Sequence, residues 1–182
     1  VLVPFAADAD RLVVAARDGS GVTLVLVDPG APGVTITPQH NNAGLPLFAV
    51  ELAGVAVVPG DIVGDRGAGW AAVAPALARG AVLRTAEIAG AGERMLDLAV
   101  DYANQRSQFG TPIGRYQAVQ YLCTDVAMES HQSGLMALRA AWLLDQGDPD
   151  AARAVASAKL YACRAAHHMA QQAHEVFAGV AF

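Results

Sequence analysis

The spacing of apolar residues changes once along this chain, close to residue 65, so one kind of secondary structure cannot account for both parts. Before that point, short apolar runs are separated by Gly, Pro, Asn and Asp, which is the pattern of strands joined by turns. The runs lie at residues 12–16, 22–28, 34–38 and 50–58. We expect four or five antiparallel strands, with the first two runs joined by a short hairpin.

After Gly67, apolar residues recur every three or four positions, which is the period of an amphipathic helix. The segment Phe109-Gly110-Thr111-Pro112 is a stop signal for the first helix, and Gln146-Gly147-Asp148-Pro149 is one for the second. The predicted helices run from Gly67 to about Arg106, from Gly114 to Gln146 and from Asp150 to about Val176. The sequence therefore predicts three helices that pack antiparallel to one another.

The expected fold is α+β in two domains. Residues 1–65 form part of an antiparallel β domain, and residues 66–182 form a helical bundle. Three helices with two apolar stripes each predict that a further helix packs against them.

Composition excludes several classes of protein. The chain is 54% hydrophobic and 16% charged, which excludes a disordered chain, and its net charge of −5 offers no basic field for nucleic acid or an anionic membrane. Cys123 and Cys163 are distant in sequence and form no C-x-x-C pair, which favours a reducing, cytoplasmic location over a disulfide scaffold or a zinc site. The opening from Val1 has no signal-peptide pattern, so we interpret it as the interior of a longer chain.

The end of the first predicted helix carries the cluster with the most chemical potential. Arg106 is followed by Ser107 and Gln108, and a guanidinium at this place suits bidentate recognition of a phosphate. A structural interpretation is also open, in which Arg106 caps the last carbonyls of its own helix and Phe109 fills the core.

The residues around this cluster resemble the acyl-CoA dehydrogenase family. Arg106, Phe109, Gly110, Ile113 and Gln117 match its R-x-x-F-G-x-x-I-x-x-x-Q pattern. The resemblance extends over nearly the whole chain, from the latter part of the family's β domain to the helices of its C-terminal bundle. The fourth bundle helix lies beyond Phe182 by this comparison.

The resemblance implies a flavoprotein that removes hydrogens from C2 and C3 of an acyl-CoA thioester and assembles as a dimer or as a dimer of dimers. The family's R-x-x-F-G arginine contacts the pyrophosphate of FAD bound to the neighbouring subunit, and that residue is Arg106 here. Gln108 is a possible further donor, and Phe109 belongs to the same motif. No metal is implied.

A second FAD segment of the family, Q-x-x-G-G, matches this chain imperfectly. Glu175 stands in place of the amide, and an ionised carboxylate cannot donate a hydrogen bond to a phosphate. Ala178 replaces the first glycine, whereas Gly179 keeps the second. Three possibilities follow: this end of the cofactor sits differently, Glu175 contacts ribose hydroxyls, or the segment does not hold FAD.

No catalytic base can be assigned within the chain. One of the family's two base positions lies beyond Phe182, and the other aligns with Gly80, which has no side chain to accept a proton. Glu87 and Glu93 are two and nearly four helical turns from Gly80, so they are better explained as surface partners of neighbouring arginines. The identity of the base and the acyl group therefore stay open.

Three other motifs are weaker. Gly90-Ala91-Gly92 lies inside a helical pattern, which favours helix packing over dinucleotide binding. His167, His168 and His174 share a helix but lack the E-x-x-H pairs of a di-iron bundle. Residues 65–70 are expected to form a helix-entry loop whose amides could meet an anion, with Trp70 in the core.

Three functions remain open from the sequence. The first is an acyl-CoA dehydrogenase-like enzyme in which this region binds FAD across a subunit interface. The second is an inactive subunit of that fold, possibly paired with a related catalytic subunit. The third is a helical interaction module without a cofactor.

Overall fold

The β-rich part of the chain forms two three-stranded antiparallel sheets. The computed structural model describes residues 1–42 and 44–181, and these divide into one unit over Val1–Pro75 and a second from Ala76 onward. One sheet has the order β1-β5-β4, and the other has the order β2-β3-β6. The strands are β1 (Leu2–Pro4), β2 (Leu12–Asp18), β3 (Gly21–Val27), β4 (Val34–Gln39), β5 (Leu47–Leu52) and β6 (Ile62–Val63).

The predicted hairpin between the first two apolar runs is present. β2 and β3 pair from Leu12 opposite Val27 to Asp18 opposite Gly21, so only two residues form the turn. The prediction of one strand over residues 50–58 is wrong. β5 ends at Leu52 because Gly54, at a φ of 66°, turns the chain out of the extended conformation.

The loop over residues 65–68 binds to the β2–β3 hairpin and does not offer its amides to a ligand. The amide of Gly67 donates to the hydroxyl of buried Thr23 at 2.9 Å, and the Arg66 guanidinium donates to Asp18 at 2.8 Å. Gly67 has a φ of 82°, and a Cβ there would lie 2.4 Å from the Ser20 carbonyl oxygen, so only glycine fits. The next residues begin a helix, in which Trp70 is 59% exposed, and the expectation that Trp70 lies in the core is wrong.

Asp18 makes the acid stability of this unit depend on pH. The hydroxyl and the amide of Ser20 donate to its carboxylate, and Arg66 adds a third bond, which together lower the Asp18 pKa from 3.8 to about 2. The ionised group therefore stabilises the fold above pH 3.8, and this contribution is lost as the pH falls through about 2.

We expect an NMR titration of Asp18 to show this low pKa and Ser20→Ala to raise it, because the largest contribution comes from the Ser20 hydroxyl. Asp28 is a suitable reference carboxylate in the same spectra. An Asp18 pKa that stays the same in Ser20→Ala would contradict the assignment.

The second part of the chain consists mainly of three long helices. They are α1 (Gly69–Gln105), α2 (Gln117–Asp145) and α3 (Ala151–Phe177). Between α1 and α2 lie the two-residue strands β7 (Ser107–Gln108) and β8 (Thr111–Pro112), followed by a turn of 3₁₀ helix over Ile113–Arg115. The predicted α+β fold with three helices is confirmed.

Three buried clusters show how these helices pack within the second unit. Near one end of the bundle Ala140 packs with Val155 and Ala158, and near the other end Ala99 and Ala103 pack with Val176. Residue numbers rise along α1 while they fall along α2, and they rise again along α3, so consecutive helices are antiparallel. Fully buried Met169 and Val126 form the middle cluster.

Small residues let the helices approach closely in this middle section. A Cβ on Gly92 would lie 2.6 Å from the Met169 sulfur and 2.9 Å from the Ser130 Cβ, whereas a Cβ on Gly90 would meet nothing within 4 Å. The Ser130 hydroxyl donates to the Ala89 carbonyl at 3.0 Å across the same contact. Helix packing therefore explains Gly92.

Candidate cofactor site

The chain leaves α1 and turns directly into a short hairpin made of β7 and β8. Arg106 is the first residue after α1. Its amide donates to the Tyr102 carbonyl at 2.8 Å, and its carbonyl accepts from the amide of Ile113 at 2.8 Å. Both backbone groups of Arg106 are therefore held, and its side chain leaves the bundle from a fixed point.

Phe109 and Gly110 form the tip of this hairpin. Their φ angles are 52° and 82°, and two consecutive positive values are typical of a type I′ turn. Phe109 is 94% exposed. The interpretation that Phe109 fills the core is wrong, because a residue at the tip of a two-residue turn has no neighbouring apolar group to pack against.

The hairpin stands on a packed base. The Tyr116 hydroxyl donates to the Gln108 carbonyl at 3.1 Å, which ties β7 to the start of α2. Below it, the Tyr102 ring packs on Phe177 with 4.8 Å between centroids. Phe177 is the last residue of α3, so the hairpin and the end of α3 lie at the same end of the bundle.

The Arg106 guanidinium is exposed and, within residues 1–42 and 44–181, takes part in no hydrogen bond or ion pair. The interpretation that it caps the last carbonyls of α1 is wrong. The backbone amide of Arg106 already bonds the Tyr102 carbonyl, so the side chain is not needed there. Five N–H donors therefore remain available for a ligand.

Gln108 has a side-chain amide that is only partly used. Its Nε2 donates to the Ser107 carbonyl at 2.8 Å, which leaves one further N–H and the amide oxygen. Ser107 and Gln108 are both exposed. The hairpin thus presents a cation, an amide and an aromatic ring on six consecutive residues.

Glu175 and Gly179 lie at the end of α3 and are both exposed. Glu175 accepts a hydrogen bond from Gln171 at 3.3 Å, and Gly179 lies in a 3₁₀ turn over Ala178–Ala181. Among the residues that the structure describes, no hydrogen bond or ion pair joins this segment to the hairpin. The two predicted binding segments therefore share an end of the bundle without contacting each other through polar groups.

Ala178 shows why a glycine suits this position. Its φ is 52° and its ψ is −135°, a backbone conformation that only glycine adopts easily. The family pattern places a glycine there, so Ala178 introduces strain as well as a methyl group. Sequence reasoning considered only the methyl group.

We expect Ala178→Gly to raise the free energy of unfolding by about 1 kcal/mol, since relief of about 1–3 kcal/mol of strain exceeds the extra freedom of glycine in the unfolded chain. Chemical denaturation measures the change. Ala156→Gly, at an exposed position inside α3, is the matched control and should lower the same free energy by about 1 kcal/mol. Destabilisation of equal size at both positions would rule out strain at Ala178.

The other candidate groups have structural partners. Glu87 pairs with Arg84 one turn away, as expected for a surface pair, and His168 contacts Glu129 across α2 and α3. Burial raises the pKa of the half-buried Cys123 thiol. Within the described part of the chain, no group of three or more His, Cys, Asp or Glu side chains could hold a metal ion, and no helix is long and apolar enough to cross a membrane.

Comparison with known proteins agrees with the residues that the hairpin displays. Residues 67–182 match the family model described as "Acyl-CoA dehydrogenase, C-terminal domain". The protein of Bacillus subtilis named "Probable acyl-CoA dehydrogenase YngJ" is 33% identical over 167 residues, which are 90% of this chain and 44% of that protein. The chain thus spans less than half the length of this relative.

Solved structures share the fold over almost the whole chain. The structure titled "PigA with FAD and proline" is 27% identical with a TM-score of 0.91, and the match covers 98% of this chain and 49% of that one. A chain of the ChsE4-ChsE5 complex from Mycobacterium tuberculosis is 32% identical with a TM-score of 0.86, over 97% of this chain and 47% of that one.

Proposed function

Because the chain belongs to the acyl-CoA dehydrogenase family, we propose that the full-length protein is an FAD-dependent oxidoreductase that introduces a double bond between C2 and C3 of an acyl-CoA thioester. In this proposal residues 1–65 are part of the β domain and residues 66–182 are the C-terminal bundle. The bundle binds FAD across a subunit interface and contributes to oligomerisation.

The observation that supports this proposal most is the unpaired guanidinium of Arg106 on an ordered hairpin. A diphosphate offers several oxygen acceptors, and an arginine fork binds such groups through two parallel charge-assisted hydrogen bonds. The second N–H of Gln108 and the exposed ring of Phe109 suit the same ligand. The residues on the hairpin therefore fit the diphosphate part of FAD.

Glu175 does not fit a phosphate, because two like charges repel each other. Its carboxylate can instead accept hydrogen bonds from ribose hydroxyls, and Gly179 beside it allows a close approach of the backbone. We therefore assign Glu175 and Gly179 to the sugar rather than to the diphosphate.

When bound, FAD supplies the hydride acceptor of the reaction. The described residues supply binding and orientation, and none of them is proposed as the general base. Gly80 occupies one family base position and carries no acid group, while Glu87 is engaged by Arg84. The acyl group that the enzyme accepts is not specified by any residue of this region.

An inactive subunit paired with a related catalytic one is the second candidate. Gly80 favours it, and a complex of two differently named chains among the similar structures gives it a precedent. Large apolar side chains along one helix also support an assembly of some kind. The exposed ones on α2 are Tyr121, Met128, Leu135, Leu138 and Trp142.

An absorption spectrum of the purified full-length protein, followed by an acyl-CoA turnover assay, tests these candidates. Flavin that is retained through gel filtration, together with turnover, is the expected result for the enzyme. Retained flavin without turnover would favour the inactive subunit, and the absence of any flavin binding would leave the cofactor-free interaction module. A cytoplasmic location is proposed from the unpaired cysteines and is tested by fractionation.

A further inference from the structure

One polar group interrupts the alanine-rich contact between α2 and α3. His168 Nδ1 lies 2.9 Å from Glu129 Oε1, and His168 Nε2 lies 2.9 Å from the side-chain nitrogen of Gln172. An ionised carboxylate only accepts hydrogen bonds, so Nδ1 carries the proton, and the Gln172 amide donates to Nε2. Both nitrogens of the ring and one oxygen of Glu129 are thereby paired.

Two other buried atoms close to this group have no partner. Glu129 Oε2 and Ser133 Oγ each expose less than 1 Å² and form no hydrogen bond with any described residue. Ser133 as a whole is fully buried. Leaving a buried polar atom unpaired is costly, and most of all for an oxygen that shares a negative charge.

The helix geometry brings these two atoms into one region. Glu129 and Ser133 are four residues apart on α2, so their Cβ atoms are about 5–6 Å apart and their directions around the axis differ by about 40°. Ser130 lies on the other side of this line, where its hydroxyl bonds Ala89 of α1. Ser133 is therefore on the side of α2 that carries Glu129 towards α3.

We propose that a single internal water molecule binds between Glu129 Oε2 and Ser133 Oγ. Such a water donates one hydrogen bond to the carboxylate oxygen and accepts another from the serine hydroxyl, which satisfies both orphaned atoms. Folded proteins hold about one buried water per 27 residues, usually where two or more polar groups lack other partners. The water would extend the Glu129–His168–Gln172 chain and join the two helices through a hydrated polar contact.

Ser133→Ala in the full-length protein tests the proposal by chemical denaturation. If the water is present, the variant removes one of its partners and leaves Glu129 poorly satisfied, so the unfolding equilibrium constant should rise about 5- to 30-fold. If no water binds there, the variant removes an unpaired buried hydroxyl, and the constant should stay the same or fall. That second result would overturn the proposal.

A crystal structure with resolved solvent provides an independent measurement, and Ser130→Ala provides the matched control. Density about 2.7–3.0 Å from both oxygens is expected in the parent protein and in Ser130→Ala, whose lost hydroxyl bonds α1. The density should vanish in Ser133→Ala. An empty space between Glu129 and Ser133 in the parent protein would overturn the proposal whatever the stability data show.

Discussion

Arg106→Ala is expected to weaken FAD binding by the full-length protein about 10- to 100-fold, because each hydrogen bond to a charged partner contributes about 1.5–3 kcal/mol. The guanidinium is exposed and has no partner within the described residues, so its removal leaves no protein group unsatisfied. Fluorescence titration of the flavin-free protein with FAD measures the dissociation constant directly. The unfolding transition of the flavin-free protein should stay where it is.

Arg79→Ala is the matched control for this experiment. Arg79 is also an exposed arginine of α1, and it lies about 40 Å along the chain axis from the hairpin. Its removal changes the net charge by the same amount and should leave FAD binding unchanged. Equal losses in the two variants would reduce the effect of Arg106 to general electrostatics. Arg106→Lys should recover only part of the affinity, since lysine keeps the charge and loses the bidentate geometry.

Gly92→Val is expected to lower the free energy of unfolding by about 3 kcal/mol, which is the size of a typical overpacking effect. The first added carbon would already lie 2.9 Å from the Ser130 Cβ and 2.6 Å from the sulfur of fully buried Met169. A methionine can move its end, but a serine Cβ moves only with its helix. The helices α1 and α2 would have to separate.

Gly90→Val separates this packing effect from the helix propensity of glycine. The two glycines are two residues apart in α1, and a Cβ at Gly90 meets nothing within 4 Å. Valine forms helix better than glycine does, so Gly90→Val should be neutral or slightly stabilising. Urea denaturation of both variants decides the matter, and a similar loss of stability in the two would show that Gly92 has no special packing role.

The long helices could be predicted from the sequence because each repeats its apolar period over many turns. The expected end of the first helix near Arg106 differs by one residue from the end of α1 at Gln105. Strands were harder to delimit. The run at residues 50–58 looks continuous in composition, but Gly54 at a positive φ ends the strand after Leu52.

The candidate site was only partly predictable. Arg106 was identified by its motif, yet its setting on a β-hairpin was not, because strands of two residues are too short to show any period. Phe109 suggested a core position by its apolar side chain, whereas its place at a tight turn leaves it exposed. Gly110 after an exposed position was the available signal for that turn. The strain at Ala178 depends on backbone angles that no sequence pattern reports.

The bonds that hold the β7–β8 hairpin are all formed within this chain, through the backbone of Arg106 and the hydroxyl of Tyr116. The loop is therefore preorganised, and a ligand that meets it has little backbone entropy to remove. Hydrogen–deuterium exchange at the Ile113 amide should accordingly be slow before any ligand is added. Association at this end of the bundle would then resemble rigid docking more than folding upon binding.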